Sequence, residues 1–179
     1  MELYEKVVGS DIKFSGDVLT VRVDDVELPG GVTSKREVIQ HNGAVGIVPV
    51  TEKREVLLVR QYRSASKKIM LELPAGKLEK GEDPFDCGLR ELEEETGFSA
   101  GKMEKLISYF SSPAILEEIL HLYIAFDLKP GKVNLDEDEF LECVKLPLTD
   151  IKQMILNGEI QDAKTIIGIM LADEFLKNM

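Results

Sequence analysis

The sequence contains few cysteines, few histidines and no long apolar run, and each shortage excludes a class of protein. Only two of the 179 residues are cysteines, Cys87 and Cys143, so we expect reduced thiols in a cytoplasmic protein and no disulfide framework. The two histidines, His41 and His121, do not have the spacing of a zinc motif. No apolar run approaches the roughly 18 residues of a membrane-spanning helix. The N-terminal segment MELYEKVVGS also lacks the basic and apolar parts of a signal peptide.

Basic residues are scarce relative to acidic ones. The chain has 22 Lys and Arg against 33 Asp and Glu, which gives a formal net charge of -11. A charge of this sign disfavours non-specific binding to nucleic acid or to an anionic membrane. An anionic substrate would therefore have to be attracted by metal ions and a few well-placed arginines. The 44% hydrophobic and 31% charged content is typical of one globular domain with at most a small extension.

The chain divides by composition near residue 41. Residues 1–41 contain three short, polar strand-like segments with turns between them, including the Pro-Gly-Gly turn at 29–31. This segment has too little apolar material to form its own core, so we expect it to rest on residues 42–179 or on a second copy of the chain. Residues 42–179 form the main predicted domain.

The main domain is predicted to combine strands with helices. Near-continuous apolar runs at 43–50 and 55–62 are typical of strands buried on both faces, and the turn between them suggests a hairpin. We expect further strands at 68–73, 103–111, 119–128 and 140–148, an acidic loop at 133–139, and two final helices capped by Thr149 and Asp162. This order predicts an α+β fold with a mixed sheet between helices.

A helix is predicted in the stretch between residues 83 and 97. Asp83 is a good N-cap, Pro84 suits the first helical position, and Gly97 can adopt the left-handed conformation that ends a helix. The face expected to point inward carries residues at helical spacing: Phe85, Leu89, Leu92 and Thr96.

The same helix carries an unusual concentration of glutamates. Glu91 and Glu95 are four residues apart and so lie on one side of the helix, with Glu94 beside them. Glutamates at the C-terminal end also oppose the helix dipole. Two explanations are open: a solvated acidic face, or a set of oxygen ligands for divalent cations. Glu82, in the glycine-containing loop ahead of the helix, makes the second explanation more attractive.

Spacing favours the metal site, because this stretch resembles the signature of the Nudix hydrolase family. That signature has Gly, five residues, Glu, seven residues, and then Arg-Glu-apolar-x-Glu-Glu-x-Gly-apolar. All nine fixed positions agree over 23 residues: Gly76, Glu82, Arg90, Glu91, Leu92, Glu94, Glu95, Gly97 and Phe98.

The resemblance implies a fold, a reaction and a metal. The fold is the αβα sandwich with a mixed sheet, here carrying a small N-terminal antiparallel β extension. The reaction is hydrolysis of a nucleoside diphosphate linked to another group, with Mg²⁺ or Mn²⁺ as cofactor. Glu91 and Glu95 are the implied principal metal ligands and Glu94 a secondary ligand, while Arg90 orients a glutamate. Glu82 is implied as a support or an outer ligand, and the Ala75 backbone carbonyl as a further ligand.

Segments outside the signature resemble those of ADP-ribose pyrophosphatases. Ser111-Ser112-Pro113 is similar to a Ser-Pro-Gly loop of these enzymes, with Ala114 in place of the glycine, and Glu118 matches a later acidic position. The C-terminal part from residue 135 onward is similar too. There the resemblance implies Glu137 as the base that activates water and Glu139 as a second acidic group, with Glu94 also assigned to catalysis.

Upstream segments complete the implied substrate contacts. Arg63, in Gln61-Tyr62-Arg63, would hold a phosphate through its forked donors. Arg36 and Glu37 would contact the adenosine end, from the partner subunit of a homodimer that exchanges its N-terminal strands. We therefore expect hydrolysis of ADP-ribose to AMP and ribose 5-phosphate.

Two alternatives remain open. One is a different Nudix substrate, such as a nucleotide sugar, NADH or a damaged nucleoside triphosphate. The other is a Ca²⁺-responsive or nucleotide-sensing module that binds without turnover. In either case the expected partner is a small molecule, not a nucleic acid or a membrane.

Overall fold

The computed structural model describes residues 3–135 and 139–179. The chain separates into two compact units. One contains the residues up to Gly43 together with Tyr109–Ile119, and the other contains Ala44–Ser108 and Leu120–Met179.

The first unit is built on an antiparallel sheet of three strands. These are β1 (Lys6–Ser15), β2 (Thr20–Glu27) and β3 (Thr33–Gln40), in the order β1-β2-β3. The first strand was predicted at residues 3–8 and was too short, because β1 continues through the polar stretch up to Ser15. It follows β2 with two register irregularities, at Val7/Gly9 and at Ile12/Phe14, and such irregularities hide the alternation that marks a strand in sequence.

In the described part of the chain, seven further strands form two more sheets. A three-stranded antiparallel sheet has the order β10-β5-β6, and a four-stranded mixed sheet has the order β7-β4-β9-β8. In the mixed sheet β4 is antiparallel to β7 and parallel to β9. The strands are β4 (Ala44–Pro49), β5 (Glu55–Arg63), β6 (Lys68–Glu72), β7 (Ala75–Lys77), β8 (Phe98–Phe110), β9 (Ile119–Pro130) and β10 (Leu141–Pro147).

The predicted hairpin of β4 and β5 was wrong beyond its turn. The chain does reverse there, with a single antiparallel bridge between Val50 and Val56. The two strands then enter different sheets, because β7 and β9 already occupy both edges of β4. The outer half of β5 is also less buried than predicted, and Arg60 and Tyr62 are exposed.

Helix α1 (Pro84–Thr96) has the predicted caps. The Asp83 carboxylate accepts a hydrogen bond from the Phe85 N–H, and Gly97 ends the helix at φ 72°. The predicted inward face was partly wrong, since Phe85 is 38% exposed. Its place is taken by small residues and by two glutamates, and the buried residues of α1 are Cys87, Gly88, Glu91, Leu92, Glu95 and Thr96.

Helices α2 (Leu148–Leu156) and α3 (Ala163–Lys177) follow β10. Thr149 does not cap α2 as predicted: Pro147 is the N-cap, and the Thr149 hydroxyl contacts the Asp150 carboxylate inside the first turn. Asp162 caps α3 as predicted, by accepting the Thr165 N–H. None of the helices in the described part of the chain is long and apolar enough to cross a membrane.

The mixed sheet lies between two helices. On one side α1 packs through Leu92 on a buried cluster that includes Val45 and Ile47 of β4. On the other side α3 approaches so closely that a methyl group on Gly168 would lie 3.1 Å from Val48. The predicted α+β class, with a mixed sheet and an N-terminal antiparallel sheet, is therefore confirmed.

Candidate active site

The glutamates of α1 face the interior. Glu91 is 8% exposed and Glu95 is 2% exposed, while Glu94 is half-buried. Glu95 Oε2 accepts a hydrogen bond from the Ala75 backbone N–H at 2.9 Å, so the helix is joined directly to the start of β7. The solvated-face explanation therefore does not hold for Glu91 and Glu95.

One arginine lies among the carboxylates of this helix. Arg90 Nη1 donates to Glu91 Oε1 and to Glu94 Oε2, both at 2.8 Å. Its Nη2 donates to Glu82 Oε1 at 3.2 Å, and these negative charges outweigh burial and raise the pKa of Arg90. Arg90 thus orients three glutamates at once, more than the single partner that the sequence suggested.

The loop ahead of α1 fits closely around these side chains. A methyl group on Gly76 would lie 1.8 Å from Glu91 Oε1, so only glycine allows Glu91 its observed position. Glu82 Oε2 accepts the Glu79 backbone N–H at 2.9 Å, and this bond, together with Arg90, lowers the pKa of Glu82. Gly76 and Glu82, the first two fixed positions of the signature, therefore both help to position the glutamates of the site.

The local electrostatics favour the arrival of a cation. Burial raises the pKa of Glu95 to about 8, and the charges of Glu91 and Glu139 add to the effect. Burial also raises the pKa of Glu91, where Glu139 again contributes. The set of carboxylates that act on one another thus includes Glu139 of the acidic segment.

The donor chemistry of this cluster suits a divalent cation. Carboxylate oxygens are the ligands that Mg²⁺ prefers, and Glu91, Glu94 and Glu95 supply them from one helix. Among the described residues no three such side chains already form a metal-ligating group. As folded, one oxygen each of Glu91 and Glu94 accepts a hydrogen bond from Arg90, and one oxygen of Glu95 accepts the Ala75 N–H. Each of these carboxylates has a second oxygen, which can bind a cation while the hydrogen bonds are kept.

A second charged cluster, absent from the sequence predictions, lies at the end of β6. Glu72 is 1% exposed and accepts a forked pair of hydrogen bonds from Arg63, Nε to Oε1 at 2.9 Å and Nη2 to Oε2 at 2.8 Å. Lys164, on the first turn of α3, contacts the same Glu72 Oε2 and lies 3.0 Å from Asp162 Oδ2. The one available signal was an isolated charge inside an apolar run, in MLELP, which sequence reasoning passed over.

The two clusters influence each other. The negative charge of Glu95 contributes to raising the pKa of Arg63, after the larger effect of the hydrogen bonds to Glu72. Arg63, predicted to hold a phosphate, thus belongs to the same electrostatic environment as the α1 glutamates. The phosphate contact itself stays a prediction.

The remaining predicted substrate residues belong to the first unit. Arg36 forms a forked ion pair with Glu5, and Glu37 is exposed on β3. The predicted substrate loop is closed by the Ser111 hydroxyl, which donates to Glu118 Oε2 at 2.5 Å. Pro113 is exposed in the turn of that loop. These substrate assignments stay predictions.

The predicted base belongs to the acidic segment before β10. Glu137 lies outside the described residues, as do its neighbours Asp136 and Asp138. Glu139 is described, and its charge acts on Glu91 and Glu95 as stated above. The choice of base among these acids therefore stays a prediction from resemblance.

Comparison with known proteins agrees with this geometry. The Nudix domain model matches residues 40–167. The sequence is 48% identical over 167 residues to the methanol dehydrogenase activator of Bacillus methanolicus, covering 92% of this chain and 90% of the relative. It is 43% identical over 169 residues to the ADP-ribose pyrophosphatase of Bacillus subtilis (strain 168), covering 93% and 91%.

The fold has a close counterpart among solved structures. A crystal structure of an ADP compounds hydrolase matches with a TM-score of 0.89 at 26% sequence identity, covering 99% of this chain and 97% of the other. The Nudix type of the α+β fold is thereby confirmed. The signature residues surround Glu91 and Glu95, and the family model matches most of the sequence. The chain therefore belongs to the Nudix hydrolase family.

Proposed function

We propose that this Nudix hydrolase cleaves the diphosphate of ADP-ribose, with water, to AMP and ribose 5-phosphate. The observation that carries the proposal is the buried carboxylate cluster of α1, which has more negative charge than Arg90 can balance. A relative at 43% identity named ADP-ribose pyrophosphatase and a matching structure named ADP compounds hydrolase support the choice of substrate.

The α1 cluster is proposed to hold Mg²⁺, with Mn²⁺ as the alternative ion. Glu91 and Glu95 are the principal ligands, Glu94 a further one, Glu82 an outer ligand, and the Ala75 carbonyl completes the set. Bound there, the cation would neutralise diphosphate charge and lower the pKa of a water molecule. Because Gly76 leaves room for Glu91, and Ala75 fixes Glu95, the two carboxylates are held in place before any cation arrives.

Arg63 is proposed to anchor a phosphate group. Its Nε and Nη2 donate to Glu72, while Nη1 donates no hydrogen bond to any side chain or backbone group within residues 3–135 and 139–179. A guanidinium has five N–H donors, so Arg63 can keep its bonds to Glu72 and still bind phosphate oxygens.

The other roles follow the resemblance. Glu137 is proposed as the base that accepts a proton from the attacking water, with Glu139 as its acidic neighbour. The adenosine end of the substrate would be contacted by the remaining predicted residues: Arg36, Glu37, Pro113 and Glu118.

A homodimer with exchanged N-terminal strands is proposed as the assembly. Strand β1 is an edge strand with large apolar side chains exposed, among them Val7, Ile12 and Phe14, each more than half exposed. Such a surface is typical of an interface between protein chains. The free thiols of Cys87 and Cys143 favour the cytoplasm as the compartment.

Steady-state hydrolysis over a substrate panel tests the proposed reaction. The panel contains ADP-ribose, a nucleotide sugar, NADH and an oxidised nucleoside triphosphate, each assayed with Mg²⁺. We expect the highest kcat/KM for ADP-ribose, with AMP and ribose 5-phosphate as products. A kcat/KM about tenfold higher for another compound, equivalent to roughly 1.4 kcal/mol in transition-state binding, would assign a different substrate.

The relative at 48% identity supports a second candidate function. It is named methanol dehydrogenase activator, which makes activation of a methanol dehydrogenase the alternative. Adding the protein to such a dehydrogenase and measuring alcohol oxidation separates the two. Activation with no ADP-ribose hydrolysis would favour the second candidate.

A further inference from the structure

The charged cluster at the end of β6 has a feature that phosphate binding by Arg63 alone does not require. Glu72 is shared by two cations, since Arg63 bonds to both of its oxygens while Lys164 contacts Oε2. Lys164 itself is 9% exposed, which is rare for a lysine and costly unless the ammonium group is paired. Lys164 is therefore a second cation, itself buried, beside a carboxylate that already has a partner in Arg63.

The position of Lys164 is fixed from the other side by the start of α3. Its ammonium group lies 3.0 Å from Asp162 Oδ2, on the residue that caps the helix. The next residue, Thr165, accepts the Leu73 backbone N–H at 2.8 Å through its hydroxyl. The first turn of α3 thus holds both the side chain of Glu72 and the backbone that follows it.

Charge balance shows what Lys164 changes for Arg63. With Lys164 present, Glu72 and Asp162 are matched by two cations, and the cluster is formally neutral before substrate arrives. Without Lys164, Glu72 would be neutralised by Arg63 alone and the cluster would carry one net negative charge. An anionic phosphate would then approach an Arg63 guanidinium whose positive charge is already neutralised by the buried Glu72 carboxylate.

We propose that Lys164 is a positioning residue for substrate binding, which acts through Glu72 on Arg63. In this arrangement Lys164 supplies the charge that Glu72 needs, and Glu72 fixes the guanidinium plane. Arg63 is then free to direct Nη1 and the remaining N–H of Nη2 to a phosphate group. The inference rests on the proposed role of Arg63 in binding a diphosphate.

A double-mutant cycle tests the linkage. Dissociation constants for ADP-ribose are measured by calorimetry in EDTA, where metal-dependent turnover is absent, for wild type, Lys164→Met, Arg63→Gln and the double variant. Loss of a charge-assisted contact predicts that Lys164→Met raises Kd about tenfold. In the Arg63→Gln background the same change should alter Kd by less than about twofold, because the group through which Lys164 acts is gone.

A matched control separates positioning from folding. Lys152 also forms a part-buried ion pair with a residue of α3, Asp173, away from Glu72. Lys152→Met should leave Kd unchanged whatever it does to Tm. If Lys164→Met does not fold, Glu72→Gln breaks the same linkage from the other side, and its effect on Kd should likewise disappear when Arg63 is absent.

The outcomes distinguish this proposal from the proposed function. Equal effects of Lys164→Met with and without Arg63, or a fall in Tm with unchanged Kd, would overturn the positioning role. Wild-type protein that binds ADP-ribose in EDTA but does not hydrolyse it with Mg²⁺ would overturn the proposed function, and the cycle on Kd would still decide the role of Lys164.

Discussion

Glu95 and Glu72 are equally buried, yet the protein treats their charges in opposite ways. Glu95 is 2% exposed and Glu72 is 1% exposed. Burial raises the pKa of Glu95 to about 8. Burial also acts to raise the pKa of Glu72, but the hydrogen bonds from Arg63 and the charge of Lys164 outweigh it and lower that pKa. Burial alone therefore does not decide the state of a carboxylate.

The partners explain the difference. Glu95 accepts a hydrogen bond from one neutral donor, the Ala75 N–H, and the negative charges of Glu91 and Glu139 act on it more strongly than the positive charge of Arg63. Glu72 has two cations of the protein itself. The cluster around Glu72 is thus complete as folded, whereas the α1 cluster of Glu91, Glu94 and Glu95 is incomplete, because its negative charge exceeds that of Arg90. We expect a divalent cation at the incomplete cluster, because added positive charge offsets the desolvation free energy of keeping buried carboxylates ionised.

The largest expected effect comes from removing the charge of Glu95. Glu95→Gln keeps the side-chain shape and can still accept the Ala75 N–H, but it loses a metal ligand. We expect kcat for ADP-ribose to fall on the order of a thousandfold or more, with the fold retained. Steady-state kinetics with Mg²⁺ and a circular dichroism spectrum are the measurements.

Glu93 supplies the matched control for that experiment. It is a neighbouring glutamate on the same helix, but its side chain is exposed. Glu93→Gln should change kcat by less than about twofold, because exposed charges on a helix contribute little. Full turnover by Glu95→Gln would show that the α1 cluster is not the metal site.

The next effect concerns stability without metal, and its sign follows from the pKa of Glu95. A carboxyl whose pKa is raised by folding stabilises the protein fully below its unfolded pKa, near 4.5, and this contribution is lost as the pH rises towards about 8. In EDTA the wild-type protein should therefore lose about 2–5 kcal/mol between pH 5 and pH 8 through this group. The corresponding fall in Tm is about 5–15 °C.

Variants at the two glutamates sharpen this pH comparison. Glu95→Gln should show a flatter Tm over the same range, and Mg²⁺ should restore Tm to the wild type at pH 8 by binding the ionised form. Glu72 has a lowered pKa, so its contribution is present above pH 4.5 and lost only below it. Glu72→Gln should therefore lower Tm by a similar amount at pH 5 and pH 8. Parallel Tm profiles for wild type and Glu95→Gln would contradict the raised pKa.

Local signals in the sequence predicted the incomplete cluster well. The caps Asp83 and Gly97 and the 3.6-residue period were enough to place Glu91 and Glu95 on one helix. Their burial was not predicted, because charged residues are normally assigned to the surface. The inward face chosen for α1 therefore included Phe85, while Cys87 and Gly88 were left out.

The complete cluster could not be predicted, because its parts lie far apart in sequence. Glu72 and Lys164 are separated by 92 residues, and neither carries a local pattern that points to the other. Strand pairing was limited in the same way: the turn after β4 resembled a hairpin, and only the pairing of β4 with both β7 and β9 excludes it. The partner of a strand depends on which edges of the sheet are already paired, and this information is not local in the sequence.

The smallest effect should come from a methyl group placed beside the incomplete cluster. In Gly76→Ala the new carbon would lie 1.8 Å from Oε1 and 2.5 Å from Cγ of Glu91. The backbone cannot yield easily, because Gly76 pairs with Val45 in the mixed sheet, so the glutamate must swing away. Displacing one of several ligands predicts a fall in kcat of about tenfold and a higher Mg²⁺ concentration for half-maximal activity.

A second glycine tests whether the loss of activity in Gly76→Ala comes from displacing Glu91 or only from adding a methyl group near α1. A methyl group on Gly88 would meet only apolar side chains, Met103 and Val45, at 3.3 Å. Gly88→Ala should leave kcat and the Mg²⁺ requirement within about twofold of wild type, because no carboxylate moves. Equal losses in both variants would mean that general crowding, and not the placement of Glu91, controls the rate. A loss confined to Gly76→Ala would show that the glycine of the signature is needed to leave space for the Glu91 side chain.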